Sequence, residues 1–229
     1  MRAKADTALA RLLQLASPAL PVGAYSYSQG LEAAVESGAV RDAASAGVWI
    51  GDALALSLAR FEAPAWCRLH AAWLARDYSG VRSLNDWFRA TRETAELRAE
   101  TLQMGYSLRR LCAELGDFDA ASLAELQSME EIVFPAAFTF AAVNWEIPER
   151  DALVAYLWSW LENQVMAALK AIPLGQTDGQ RLLLRLGGSL SAIADEVLAG
   201  DDSMCANFAP GLAIASSRHE TQYSRLFRS

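Results

Sequence analysis

The chain has 229 residues, 53% of them hydrophobic and 21% charged, and a net charge of −7. That length and apolar fraction supply one sizeable core, while the acidic balance argues against a general nucleic-acid binder, which needs a basic face to release counterions. The three cysteines lack the paired spacing of a disulfide framework, and the N-terminus lacks the apolar stretch of a signal peptide. The longest apolar run, ALVAYLWSWL (Ala152 to Leu161), is too short to span a bilayer. The expected location is the cytoplasm, with neither nucleic acid nor membrane as a partner.

Leu9, Leu12, Leu13 and Ala16 follow the i, i+3, i+4, i+7 stripe of an amphipathic helix. Pro18 and Pro21 end it, because each fixes φ and lacks an amide donor, and Gly23 suits a positive φ. SYSQ (Ser26 to Gln29) has capping-box spacing and predicts a helix running to Gly38. Asp42 caps a helix carrying Val48, Trp49 and Leu56. Pro64 fits the first turn of another, with Trp66, Leu69, Trp73 and Leu74 on one face. From Val81 to about Glu114 the strongest breaker is Gly105, which predicts a long helix broken, if at all, at that glycine. SLAE (Ser122 to Glu125) predicts the next start, with Pro135 ending or kinking that helix. Pro148 opens a tryptophan-rich helix that stops before Pro173. TDGQ (Thr177 to Gln180) caps one carrying Leu182, Leu183, Leu186, Leu190, Ile193 and Val197, and a last helix runs from about Gly211 through Arg218. No segment alternates with period two and no internal repeat is present, so the expected fold is all-α, a multi-helix bundle forming a single domain over residues 1–229.

A catalytic apparatus is hard to find. PLGQTDGQR (Pro173 to Arg181) lacks the Lys-Ser/Thr pair of a phosphate loop and follows no strand. HETQY (His219 to Tyr223) puts Tyr223 where a zinc hydrolase needs its second histidine. Cys67 and His70, three apart on a predicted helix, would share a metal only with a third ligand from afar; the alternative is a packed thiol and a satisfied core histidine. Cys112 and Cys205 read as buried thiols, and Ser26 and Ser28 have no neighbouring base. Arg89 with Glu93 and Arg92 with Glu96 have the i, i+4 spacing of a solvated, salt-bridged face or of a docking face. The C-terminal stretch SSRHETQYSRLFRS (Ser216 to Ser229) sets Arg218, Arg225 and Arg228 against the single acid Glu220, among Tyr223, Leu226 and Phe227. Arginine beside aromatic anchors is the composition of interface hot spots. If helical, Tyr223, Leu226 and Phe227 fall at i, i+3, i+4, the spacing of a helix-in-groove ligand. Residues 216–229 are therefore expected to be a docking segment that orders on binding; packing back on the chain's own core is the competing reading.

Four blocks in order, LASPALPVGAYSYSQGLE, RETAELRAE, WLENQVMAALKAIPLGQ and AIASSRHETQYSRLFRS, resemble the UreF-type urease accessory proteins, and the resemblance covers nearly the whole chain. It implies an all-helical, cytoplasmic, non-enzymatic scaffold that binds no cofactor itself. It also implies its partners: a second scaffold of the UreD or UreH type, a UreG-type GTPase that holds the GTP, and apo-urease, which receives the nickel in transit. A second copy of the chain completes a homodimer. On this footing Tyr25, Ser26, Tyr27 and Gln29 shape a docking surface or dimer seam, unless one tyrosine is a core anchor. Lys170, matching a lysine of the family's third block, communicates with the GTPase, unless it only caps its helix. Arg218, His219, Glu220, Tyr223, Arg225, Leu226, Phe227 and Arg228 contact the second scaffold. Two other functions stay open. One is a small all-α hydrolase or lyase with a pocket under the tryptophan-rich helix and Glu146, Asp151 and Glu162 as its acids; the other is a chaperone that binds nickel directly.

Overall fold

The computed structural model describes residues 2–200 and 205–228, with side chains from Thr7 onward. Among the described residues the chain is all-α, without a strand. The helices are α1 (Arg2–Leu15), α2 (Leu31–Glu36), α3 (Ala43–Ala53), α4 (Ala63–Leu74), α5 (Tyr78–Ala90), α6 (Ala95–Leu115), α7 (Ala120–Ser128), α8 (Phe134–Asn144), α9 (Glu149–Ala171), α10 (Gln176–Gly187), α11 (Leu190–Ala199) and α12 (Pro210–His219). Helix α9 sits at the centre because its sequence is apolar on nearly every side: Leu153, Tyr156, Leu157, Leu161, Val165 and Ala168 are all buried. It touches α1, α2, α3, α4, α8, α10 and α11, while α8 packs against both α4 and α6. The buried apolar side chains make one connected cluster running from Leu15 to Phe227. No helix among the described residues is long and apolar enough to cross a membrane.

Local signals set several boundaries as expected. Asp42 caps α3 through a reciprocal pair with Ser45, and α9 lies between Pro148 and Pro173. Tertiary packing moves others. Among the described side chains of α1, Leu15 is buried and Leu12 packs on the core, but Leu9 and Leu13 of the expected stripe are exposed. Val48, Leu56 and Leu74 also face outward. Asp119 rather than Ser122 caps α7, accepting from the Ser122 amide at 3.0 Å. That helix ends at Ser128, and Pro135 lies in the first turn of α8. Helix α10 begins at Gln176 without a side-chain cap, and the leucine series expected on one helix is divided between α10 and α11.

Pro64 does not start a separate helix. The chain passes from α3 into α4 through a nine-residue π-helical stretch, Leu54–Glu62, with helical backbone at both joints. A proline inside a helix lacks the N–H that would bond the carbonyl four residues back, and its ring crowds that carbonyl. Here that carbonyl belongs to Arg60, and the Ala206 amide takes it instead at 2.9 Å. The wider turn of the π stretch absorbs the proline and delivers Glu62 into the core.

The long helix expected from Val81 breaks at Thr91–Thr94, not at Gly105. Gly105 lies inside α6 and lets the Ile132–Val133 backbone rest directly on the helix; a Cβ there would collide with the Ile132 carbonyl. At a free helix position Gly→Ala stabilises. Gly105→Ala is expected to lower the unfolding free energy by about 1–3 kcal/mol, seen as a reduced urea midpoint with an unchanged slope.

Candidate docking seam

The segment after α1 is built of tight turns. Gly23 at φ +79° precedes a short 3-10 turn, Ala24–Ser26, and Gln29 (φ +52°) and Gly30 (φ +79°) are both left-handed. SYSQ is therefore no capping box: α2 starts at Leu31, and Ser28 Oγ accepts from the Glu32 amide at 3.4 Å. A Cβ on Gly30 would stand 2.9 Å from the Ser216 amide nitrogen, so the glycine lets α12 lie against this turn. The positive φ of Gln29 aims its amide inward, where the oxygen accepts from the Trp160 indole at 2.7 Å and the nitrogen donates to Glu100 at 2.8 Å.

The C-terminal segment closes on this turn. Helix α12 ends at His219, and the residues beyond are irregular, so Tyr223, Leu226 and Phe227 share no helix face. Phe227 is buried at 6% exposure, whereas Tyr223 and Leu226 stand out at 104% and 71%. Glu32, itself buried, collects the segment: it accepts from the Leu226 amide at 2.7 Å and the Phe227 amide at 3.0 Å, and lies 3.1 Å from His219 Nε2. Glu96 holds the other side of the ring, 2.9 Å from Nδ1, and pairs with Arg225 at 3.1 Å. Glu220 accepts from the Ala95 amide at 2.9 Å, adding a carboxylate to the N-terminus of α6. The Arg228 amide donates to the Ser26 carbonyl at 2.7 Å, and its side chain opposes the burial that raises the Tyr27 phenol. Arg218 stays exposed at the end of α12.

The two ends of the chain thus form one seam, and Lys170 stands in it. Its Nζ lies 5.8 Å from the Tyr25 ring centroid and 5.7 Å from that of Phe227, within cation–π reach of both. Tyr27 is the core anchor of the tyrosine pair, whereas Tyr25 is half-buried. Burial raises both phenols above their usual range; for Tyr25 the charge of Glu162 adds to it.

A family model for UreF matches residues 40–187. The chain is 60% identical over 223 residues to the urease accessory protein UreF of Azoarcus sp. (strain BH72), covering 96% of this chain and 95% of that one. It is 55% identical over 222 residues to that of Dechloromonas aromatica (strain RCB), covering 96% and 97%, and 52% identical over 224 residues to that of Cupriavidus metallidurans, again covering 96% and 97%. The chain belongs to the UreF family of urease accessory proteins.

In this UreF-family chain the i, i+4 pairs read along one helix are replaced by partners from elsewhere. Arg92 lies past the end of α5 and is buried, with Nη1 and Nη2 at 2.8 and 2.9 Å from Glu62 Oε1 and its guanidinium 4.3 Å from the Phe88 ring centroid. The Tyr156 hydroxyl donates to the other Glu62 oxygen at 2.9 Å; burial first, and then the charge of Glu62, holds that phenol protonated. Arg89 pairs with Asp86 and Glu131. Of the carboxylates that organise the seam, Glu96 was paired by its spacing with Arg92 on a solvated or docking face, and Glu32 and Glu100 were not singled out in the sequence.

Cys67 and His70 do gain a neighbour, Glu149 at the start of α9, whose Oε1 lies 3.3 Å from His70 Nδ1 without hydrogen-bond geometry. Burial and the charge of Glu149 push the Cys67 thiol up to about 12, and burial pushes Cys112 to about 12 as well. Cys205 is half-buried, its Sγ 3.7 Å from the Phe61 carbonyl. Among the described residues no three His, Cys, Asp or Glu side chains are arranged to hold a metal ion. His70 stacks on Trp66, and burial lowers its pKa despite Glu149. The unfolded chain therefore binds this proton more tightly than the folded chain does, so His70 makes stability rise with pH and withdraws it as pH falls below about 6.5. Urea midpoints between about pH 5 and about pH 7 are expected to rise less steeply in His70→Gln than in the unsubstituted protein.

Proposed function

We propose that the chain is a non-enzymatic scaffold that bridges a UreD/UreH-type protein and a UreG-type GTPase, modulating the GTPase while nickel passes into apo-urease. On this reading it acts as a homodimer in the cytoplasm. Nickel is cargo in transit, GTP stays on the partner, and the chain holds no resident cofactor. The observation that carries the reading is the seam, where Tyr25, Lys170 and the last residues meet at the surface although they are far apart in sequence. Tyr223 and Leu226 project from it as exposed anchors, with Arg218 and Arg225 nearby in the chain, a composition suited to an interface hot spot. The carboxylates beneath hold these residues in position before a partner arrives, which reduces the ordering cost of association.

Two sets of variants test this. Lys170→Ala removes an exposed cation whose ring contacts and helix-end charge are each worth about 0.3–1 kcal/mol. It is expected to change GTP turnover by the GTPase, or urease activation, with the melting temperature nearly unchanged; parallel loss of stability and activity would assign Lys170 a structural role instead. Tyr223→Ala and Leu226→Ala are expected to weaken capture of the UreD/UreH-type scaffold in co-purification without loss of stability, whereas Phe227→Ala should also destabilise, by about 3–5 kcal/mol if its site behaves as core. Capture at full yield by the Tyr223→Ala, Leu226→Ala double variant would contradict the docking role of the segment.

A further inference from the structure

A cleft opens beside the seam, under the turn that joins α1 to α2. Its cavity volume is about 70 Å³, and it widens outward into open solvent. Leu20, Val22, Leu97 and Met104 give it apolar walls, and the α9 residues Ser159–Asn163 line another side. Most polar groups facing it are already engaged. Glu62 and Arg92 neutralise each other, although Arg92 keeps an unpaired Nε–H. The Gln29 amide is shared between Trp160 and Glu100, and Ser159 Oγ donates to the Tyr156 carbonyl at 2.9 Å.

Two neighbouring acceptors remain. Asn163 donates through Nδ2 to the Tyr27 carbonyl at 3.1 Å, which fixes the orientation of its amide. Its Oδ1 is buried without a hydrogen-bond partner, and the residue as a whole is 6% exposed. Glu162, next in the chain and half-buried at the same cleft, has no ion-pair partner among the described residues, and burial raises its carboxyl above the usual range. An unpaired buried acceptor is costly, and an under-solvated carboxylate more so. A neutral apolar occupant would leave both costs in place, and an anion would meet Glu162. A long basic side chain answers both, with its methylene stem on the apolar walls and its N–H groups on Glu162 and Asn163.

We propose that this cleft receives the side chain of an arginine or lysine carried by a partner protein, with Glu162 and Asn163 as its acceptors. The proposal rests on the scaffold reading only for the identity of the protein that brings the side chain; the recognition chemistry is tested on the isolated chain. Titration with n-butylguanidinium, n-butylammonium and the neutral n-butylurea is followed through the Trp160 indole N–H by NMR. At least one of the cations is expected to bind saturably and roughly tenfold or more tighter than butylurea, and Glu162→Gln, at a half-exposed position, is expected to remove that preference with helical circular dichroism intact. Equal binding of butylurea, the absence of saturation, or an undiminished preference in Glu162→Gln would overturn it.

A second arm identifies the source. Glu162→Lys fills the cleft with the chain's own cation and is expected to weaken capture of either the UreD/UreH-type protein or the GTPase by roughly tenfold. Unchanged capture by a folded Glu162→Lys variant that no longer binds the butyl cations would assign the cleft to a free small amine and overturn the docking proposal. Failure of the unsubstituted chain to capture either protein would count against the scaffold reading instead, leaving the recognition chemistry to the titration.

Discussion

One carboxylate organises the surface of this protein. Glu32 begins inside the first turn of a six-residue helix, too short to be stable alone, and its side chain turns toward the C-terminal segment. It accepts the Leu226 and Phe227 amides and faces His219. A buried carboxylate is tolerated when it is paired and hydrogen-bonded. Glu32 meets both conditions only when residues far away in the sequence close over it, so its desolvation is compensated by the seam itself. Glu96 repeats the logic on the other side of His219, and Glu220 extends it to the α6 N-terminus.

The rest of the region follows from that closure. With Leu226 and Phe227 held, Phe227 enters the core and Tyr223 and Leu226 are left outside. The Phe227 ring then forms one side of the Lys170 environment, opposite Tyr25. Deeper in, Glu62, Arg92 and Tyr156 form a second buried polar unit, with Glu62 at the end of the π-helical stretch Leu54–Glu62. Both units join elements distant in sequence through charges that cannot stay buried unpaired, which favours one arrangement of the helices over looser alternatives.

Much of this architecture was legible from local chemistry. Asp42 and the proline pair Pro148 and Pro173 marked helix ends because capping and missing donors act within a few residues. The longest apolar run, Ala152 to Leu161, lies in the buried helix α9. Gly105 misled because its reason lies in another segment, the Ile132–Val133 backbone, which no helix propensity reports. Arg92 and Glu96 misled in the same way: their spacing suits a surface pair, but burial gave Arg92 to Glu62 and Glu96 to His219. The turn residues and the tail were singled out by composition and by resemblance to the family. Their acceptors were not, because a glutamate at a helical position looks the same whether it meets water or a distant amide.

The account stands on Glu32 holding the C-terminal segment against the N-terminal turn. Amide hydrogen exchange at Leu226 and Phe227 in the isolated chain measures that most directly. The account predicts slow exchange at both amides, because each donates to a buried carboxylate, and clear acceleration at both in Glu32→Gln while the amides of α9 stay protected. Exchange of Leu226 and Phe227 at the rate of an unstructured peptide in the unsubstituted chain would contradict it.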